Sequence, residues 1–258
     1  MSWIVTGGAG YIGSHVVRAL ADAGLAPVIL DDLSSGVASF VPEGVPFVTG
    51  SILDRELVEK TLRDHDAEGV IHVAGFKYAG VSVQRPLHTY AQNVEGTRVI
   101  LEAMEAAGVS NIVFSSSAAV FGTPDVPLVV EGTEKKPASP YGESKLIGEW
   151  LLRDQAVATA ETERPLRHTS LRYFNVVGSA DPTVYRIFQS RSRAASSPVA
   201  TMRSGSPGRR GPISGVKSMP VTRATASMIC FTLRPSPEPR LYAGSIDSPA
   251  ARRCAAAT

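Results

Sequence analysis

Cysteine is nearly missing from this chain. Its 258 residues contain two, Cys230 and Cys254. A disulfide framework or a cysteine metal site for the first 185 residues is thereby excluded, and no metal is expected. Aromatic residues make up only 7%. No apolar run approaches the ~18 residues of a membrane-spanning helix. The opening run Trp3-Ile4-Val5 is too short for the apolar core of a signal peptide and leads straight into glycines, so a cytoplasmic protein with no membrane partner is expected. A dominant charge is lacking too, but the net +2 hides a split. Residues 1–185 hold 14 Lys+Arg against 22 Asp+Glu, and residues 186–258 hold 12 against 2. Such asymmetry marks two kinds of segment.

Up to about residue 178, short apolar runs alternate with helical patterns. Trp3–Thr6, Pro27–Asp31, Phe47–Thr49, Gly69–Ala74, Asn111–Ser117 and Ser170–Tyr173 read as strands. They lack strict polar alternation, as expected of strands buried on both faces. Between them, Ile12–Ala23, Arg55–Asp64, Pro86–Ala107 and Tyr141–Val157 read as helices. Asp54 is a suitable N-cap for the second, and Gly108 a stop for the third. This alternation predicts an α/β fold with a doubly wound, Rossmann-like parallel sheet over residues 1–185.

After Tyr185 the pattern dissolves. Residues 186–258 hold 12 Ser, 8 Pro and 11 Arg, the composition of an irregular basic tail. Aromatic interleaving is absent there, so no nucleic-acid partner is expected.

Thr6-Gly7-Gly8-Ala9-Gly10-Tyr11-Ile12-Gly13 joins the first strand to the first helix. Gly8, Gly10 and Gly13 satisfy G-x-G-x-x-G, while Gly7, Gly10 and Gly13 satisfy G-x-x-G-x-x-G. Either pattern gives a tight turn, close backbone approach to a pyrophosphate, and helix-on-strand packing. The helix N-terminus then offers free N–H groups to phosphate. Asp31 ends the second strand, where a carboxylate accepts from an adenosine ribose and repels a 2′-phosphate; that favours NAD over NADP. Its neighbour Asp32 is placed to share the role.

Tyr141 and Lys145 lie four apart on one helix face. An ammonium nearby favours the phenolate form of a tyrosine and so makes it a usable base. The pair follows the Ser115-Ser116-Ser117 strand end, on the sheet edge where α/β folds bind ligands.

Together these motifs resemble the extended short-chain dehydrogenase/reductase superfamily, and within it the UDP-glucose 4-epimerases. The similarity runs from residue 2 to about 185. It is carried by Val70-Ile71-His72-Val73-Ala74-Gly75-Phe76-Lys77, Ser115-Ser116-Ser117-Ala118-Ala119-Val120-Phe121-Gly122, Ser139-Pro140-Tyr141-Gly142-Glu143-Ser144-Lys145-Leu146 and Leu171-Arg172-Tyr173-Phe174-Asn175-Val176-Val177-Gly178. The resemblance implies tightly bound NAD. It puts Tyr11 and Ile12 at the pyrophosphate, and Asp31, Asp32, Leu33, Ser34, Ser35 and Gly36 around the adenosine ribose. Ser51 and Ile52 flank adenine, though Ser51 stands where the family often has Asp. Val73, Ala74, Gly75, Phe76, Lys77 and Asn93 line the middle of the cofactor, and Phe174 the nicotinamide. Ser117, Tyr141 and Lys145 form the catalytic triad, and Asn175 touches substrate.

The implied reaction interconverts UDP-glucose and UDP-galactose by transient oxidation at C4, and the implied assembly is a homodimer through helices near 90–107 and 141–157. Two other readings are a uronate epimerase or decarboxylase of the same superfamily, and a non-catalytic NAD-binding protein. The family's smaller, UDP-closing domain has no counterpart after Tyr185. Read one base out of frame, Thr225–Leu233 permits Gly, Val, a polar position, Asp, Leu, Leu, His and Val, similar to a stretch of that domain. A frameshift near codon 186 is one explanation of the tail and a divergent segment the other. Either way, impaired turnover is expected.

Overall fold

A computed structural model describes residues 2–176. The expected domain boundary at 185, the basic tail and the Val177-Gly178 end of the last motif lie outside the described residues.

Six strands among the described residues form one wholly parallel sheet in the order β3-β2-β1-β4-β5-β6. β1 (Ser2–Thr6), β2 (Ala26–Asp31), β4 (Ala67–His72) and β5 (Asn111–Ser115) make its middle. β3 (Phe47–Thr49) and β6 (Arg167–Leu171) stand at its ends. The order reverses between β1 and β4, and Thr6 at the end of β1 registers beside Leu30 of β2 on one side and His72 of β4 on the other. A ligand crevice opens at such a switch point, beyond the carboxyl ends of the strands.

The central strands are long in Val, Ile and Leu because both of their faces are covered. On one face Ile4, Val28, Leu30, Val70, Ile112 and Phe114 pack beneath α2 (Arg55–Asp64), α5 (Gly96–Ala107) and α6 (Pro140–Ala158), through Val58, Leu62, Ile100, Met104 and Leu152. α1 (Tyr11–Asp22) buries Val16, Val17 and Leu20. Asp54 caps α2 as expected, its side chain accepting from Leu57 N–H at 3.0 Å.

β4 runs two residues earlier than the expected Gly69–Ala74, β5 stops two residues short of Ser117, and three larger features depart from the sequence reading. Pro86–Ala107 is not uniformly α-helical: α4 (Pro86–Tyr90) passes through a π turn, Ala91–Glu95, before α5. A short helix, α3 (Ala79–Gln84), precedes it where no element was expected. β6 starts three residues before the expected strand, because Arg167-His168-Thr169-Ser170-Leu171 is half-buried and carries little apolar signal.

α6 lies close on β5 at one point. A Cβ on Gly148 would meet Phe114 Cζ at 2.6 Å, so only glycine lets the helix sit at this depth. Gly148→Ala is expected to cost about 1–3 kcal/mol of stability, as overpacking does. Urea unfolding of the two chains measures it.

Candidate active site

A cavity of about 460 Å³ opens at the switch point, within the range usual for small-molecule sites. One wall is the β1–α1 turn. Gly7 there has φ +72°, and a Cβ on it would lie 2.7 Å from Ala74 N. A Cβ on Gly13 would fall on the Gly7 carbonyl oxygen. Gly8 instead packs on Ile29 and does not line the cavity. The working pattern is therefore Gly7, Gly10 and Gly13. Gly10 caps α1 without a side chain, and Gly10 through Gly13 face the cavity. The first-turn N–H groups and the positive end of the helix dipole make this wall suited to an anion.

Asp31 closes the far end of that wall. Its carboxylate is 7% exposed and accepts from Ala9 N–H at 3.0 Å and Leu33 N–H at 2.8 Å. Burial raises its pKa, and the two backbone donors work the other way. These bonds tie the glycine turn to the loop after β2, and leave the carboxylate with acceptor capacity toward the cavity. Asp32 is exposed and accepts from Ser34 N–H at 2.9 Å.

The opposite end holds Tyr141 and Lys145. Ser139 caps α6 through Gly142 N–H at 3.3 Å, and Pro140 fills its first turn. Three buried polar groups then fix Tyr141. Ser82 of α3 accepts its backbone N–H at 3.1 Å, Ser144 donates to its carbonyl at 2.8 Å, and Asn93 donates to Ser144 at 2.8 Å. Ser117 hydrogen-bonds the Tyr141 hydroxyl and so lowers its pKa, but burial outweighs this and holds the phenol above its ordinary value. The expected lowering by Lys145 is not seen. Lys145 is itself desolvated, 5% exposed, and pushed down to about 8. Its Nζ lies 5.0 Å from the centre of the Phe114 ring. Tyr173, which hydrogen-bonds Ser115, also lines this end.

Most of the residues expected at a ligand meet in this one cavity: Gly7, Gly10, Tyr11, Ile12, Gly13, Asp31, Asp32, Ser34, Ser35, Ile52, Val73 to Lys77, Tyr141 and Lys145. Leu33, Gly36 and Ser51 do not line it. Leu33 instead takes a left-handed conformation beside Asp31, and Ser51 accepts from Leu53 N–H at 3.2 Å. Ser117 does not line the cavity and caps the 3₁₀ turn Ala118–Phe121. Asn93 does not reach the cavity either. Its amide is taken by Phe76 N–H at 2.7 Å, the Phe76 carbonyl at 3.0 Å, and Ser144. Phe174 is 78% exposed and Asn175 is exposed, both away from the cavity.

Other residues line the cavity that the sequence reading does not name: Leu30, Gly50, Tyr78, Arg85, His88, Gln92, Ser115 and Tyr173. Arg85, His88 and Gln92 follow the three- and four-residue spacing of one helix face, and Ser115 shares a strand face with Ser117. Those spacings were legible. Which face met the cavity was not.

This wall, an anion-suited helix end leading to a Tyr-Lys pair, defines the class. The chain belongs to the NAD dependent epimerase/dehydratase family, whose pattern it matches over residues 3–209. It is 46% identical over 179 residues to a UDP-glucose 4-epimerase of Azospirillum brasilense, a stretch covering 69% of this chain and 50% of that protein. Among solved structures, UDP-glucose 4-epimerase from Brucella ovis in complex with NAD superposes with TM-score 0.65 at 41% identity, covering 69% of this chain and 53% of that one. The Thermotoga maritima enzyme with UDP-glucose gives TM-score 0.65 at 36% identity, covering 74% and 62%. The chain thus spans about half the length of the curated relatives it matches.

Lys145 yields a stability prediction. Its folded pKa of about 8 lies below the ordinary 10.5, so the folded state carries a penalty for the charged form. Below pH 8 that penalty is fully present, and it is relieved as the pH rises from about 8 to 10.5. Lys145→Met should stabilise the chain by up to about 3 kcal/mol at neutral pH. Denaturant unfolding across pH 7 to 10.5 should show that gain shrinking.

Proposed function

We propose that this chain binds NAD in the switch-point cavity and that Tyr141 is the proton acceptor of a UDP-hexose 4-epimerase reaction. The observation carrying this is the single cavity that joins the α1 N-terminus and Asp31 to Tyr141 and Lys145. The cradle fits a dinucleotide. Gly10 leaves room for a pyrophosphate over the first-turn N–H groups, Asp31 keeps acceptor capacity for a ribose, and Lys145 keeps its donors for a second ribose. Asp31 with its negative neighbour Asp32 disfavours a 2′-phosphate. Ile52 and Gly50 line the cavity and offer an apolar surface for an adenine. Lys77, which faces the cavity and attracts Asp31, adds a positive charge for the phosphates.

Among the protein's own groups, burial keeps the Tyr141 phenol protonated and Ser117 opposes it. NAD, when bound, supplies a positive ring that favours phenolate and a carbon that accepts and returns a hydride. Tyr141 then takes the proton of the sugar 4-hydroxyl, with Ser117 acting on the Tyr141 hydroxyl to favour its phenolate form, and gives that proton back to the 4-keto oxygen. Sugar turnover between these two transfers inverts C4. UDP-glucose and UDP-galactose are the proposed pair, on the strength of the relatives' names.

A homodimer through α5 and α6 is proposed as well, supported by the exposed Trp150 and Val157 of α6. Cytoplasmic placement goes with the scarcity of cysteine.

Calorimetric titration with NAD, paired with conversion of UDP-galactose, tests the reading. Tyr141→Phe should bind NAD within about threefold of the parent and lose about 10³-fold or more of the turnover. A parent chain that takes up no NAD would sink the cavity assignment. A Tyr141→Phe chain with undiminished turnover would sink the assignment of the base.

A further inference from the structure

Tyr141, Lys145 and Glu149 are spaced four apart along α6. The first two line the cavity, and the third does not. Glu149 is 8% exposed. Its Oε1 accepts from the Ser116 hydroxyl at 2.5 Å and from Arg172 Nε at 2.8 Å, and its Oε2 accepts from Arg172 Nη2 at 2.6 Å. Arg172 also donates to Glu131 at 3.0 Å, and its guanidinium lies 5.4 Å from the centre of the Phe121 ring.

The two partners of Glu149 each adjoin the site. Ser116 lies between Ser115 and Ser117, facing the other way. Arg172 immediately precedes Tyr173. Tyr173 hydrogen-bonds Ser115, and its carbonyl accepts from Ala118 N–H at 3.0 Å. A closed ring results: Glu149 to Ser116, along the chain to Ala118, across to Tyr173, back through Arg172 to Glu149. We infer that Glu149 is a positioning residue, which by holding Ser116 and Arg172 together sets where Ser117 and Tyr173 stand against Tyr141.

A bidentate Arg–carboxylate pair shielded from water is geometrically stiff, which suits this task. Packing alone would not need both partners on one carboxylate. The inference rests on the proposed function only in taking Tyr141 as the group whose protonation matters. Tyr141 faces Ser117 and Tyr173 and shares the cavity end with Lys145. Glu149 faces Ser116, Arg172 and, through space, His168.

The test is ultraviolet titration of Tyr141, taken as the difference between each full-length chain and the same chain carrying Tyr141→Phe. Glu149→Gln keeps the shape and removes the charge. It should move the Tyr141 titration to higher pH by about half a pH unit, because the Ser117 bond that opposes burial loses alignment. Ser117→Ala should move it the same way. With both substitutions together no further movement is expected, since one acts through the other. A purely stabilising salt bridge predicts a lower melting temperature with the titration unmoved, and that result in a folded Glu149→Gln chain overturns the inference. Additive shifts overturn it too. Should Glu149→Gln fail to fold, Ser116→Ala removes a neutral donor and carries the same test: a shift supports the inference, and an unmoved titration rejects it. The titration needs neither NAD nor sugar, so a failure of NAD binding tells against the proposed function alone.

Discussion

The depth at which α6 sits on β5 governs the geometry of the site. Gly148 has no side chain to hold the helix away, and the Phe114 ring fills the space beneath it. The same ring lies under the Lys145 ammonium, one turn earlier. With a rise of about 1.5 Å per residue, the turn at Gly148 fixes the height of Lys145, Tyr141 and Glu149 together. A helix held further out would carry Tyr141 away from Ser117 and Glu149 away from Ser116. Packing at one apolar contact thus decides two polar ones on either side of it.

Polar cross-links fix what packing leaves free. Asn93, in the π turn, spans from the backbone of Phe76 to Ser144, and Ser144 to the backbone of Tyr141. The loop after β4, the helix after it and α6 therefore meet on one amide. A π turn inside a helix is a local irregularity that often marks a site. Here it seats an asparagine with every polar atom of its amide engaged. Buried networks of this kind are costly when half satisfied and specify one arrangement when complete. His72 shows the same economy. It sits between Thr6 at 2.8 Å and Thr97 at 3.2 Å, and burial pushes it down to about 3, so it stays neutral and joins β1 to β4 and α5.

Elements with strong apolar periodicity were legible from residues alone. β3 and α2 fall where expected, and β1, β2 and α1 within a residue of it. The start of β6 is not legible, because a half-buried strand at the end of the sheet order has no continuous apolar run to show. α3 is not legible either, because six residues carry too little period. The glycine loop was legible as a pattern, but not which of Gly7 or Gly8 takes the positive φ; that depends on Ala74 arriving from β4. Gln92 and Asn93 show the same limit. Adjacent in the chain, one faces the cavity and the other a buried serine, and the π turn that carries both has no signal in composition.

Two buried charges on one helix are treated in opposite ways. Glu149 is paired on both oxygens, by Arg172 and Ser116. Lys145, one turn away, has no carboxylate partner among the described residues, and its desolvation is uncompensated apart from the Phe114 ring. A carboxylate beside Lys145 would have been the simpler way to stabilise the fold. It would also have occupied the three ammonium donors that otherwise face the cavity. The unpaired lysine is therefore the place where the fold forgoes stability, and a polar ligand bringing hydroxyl acceptors is the partner that would restore it. A residue whose buried charge is left for something outside the chain to satisfy belongs to a binding site more readily than to a core.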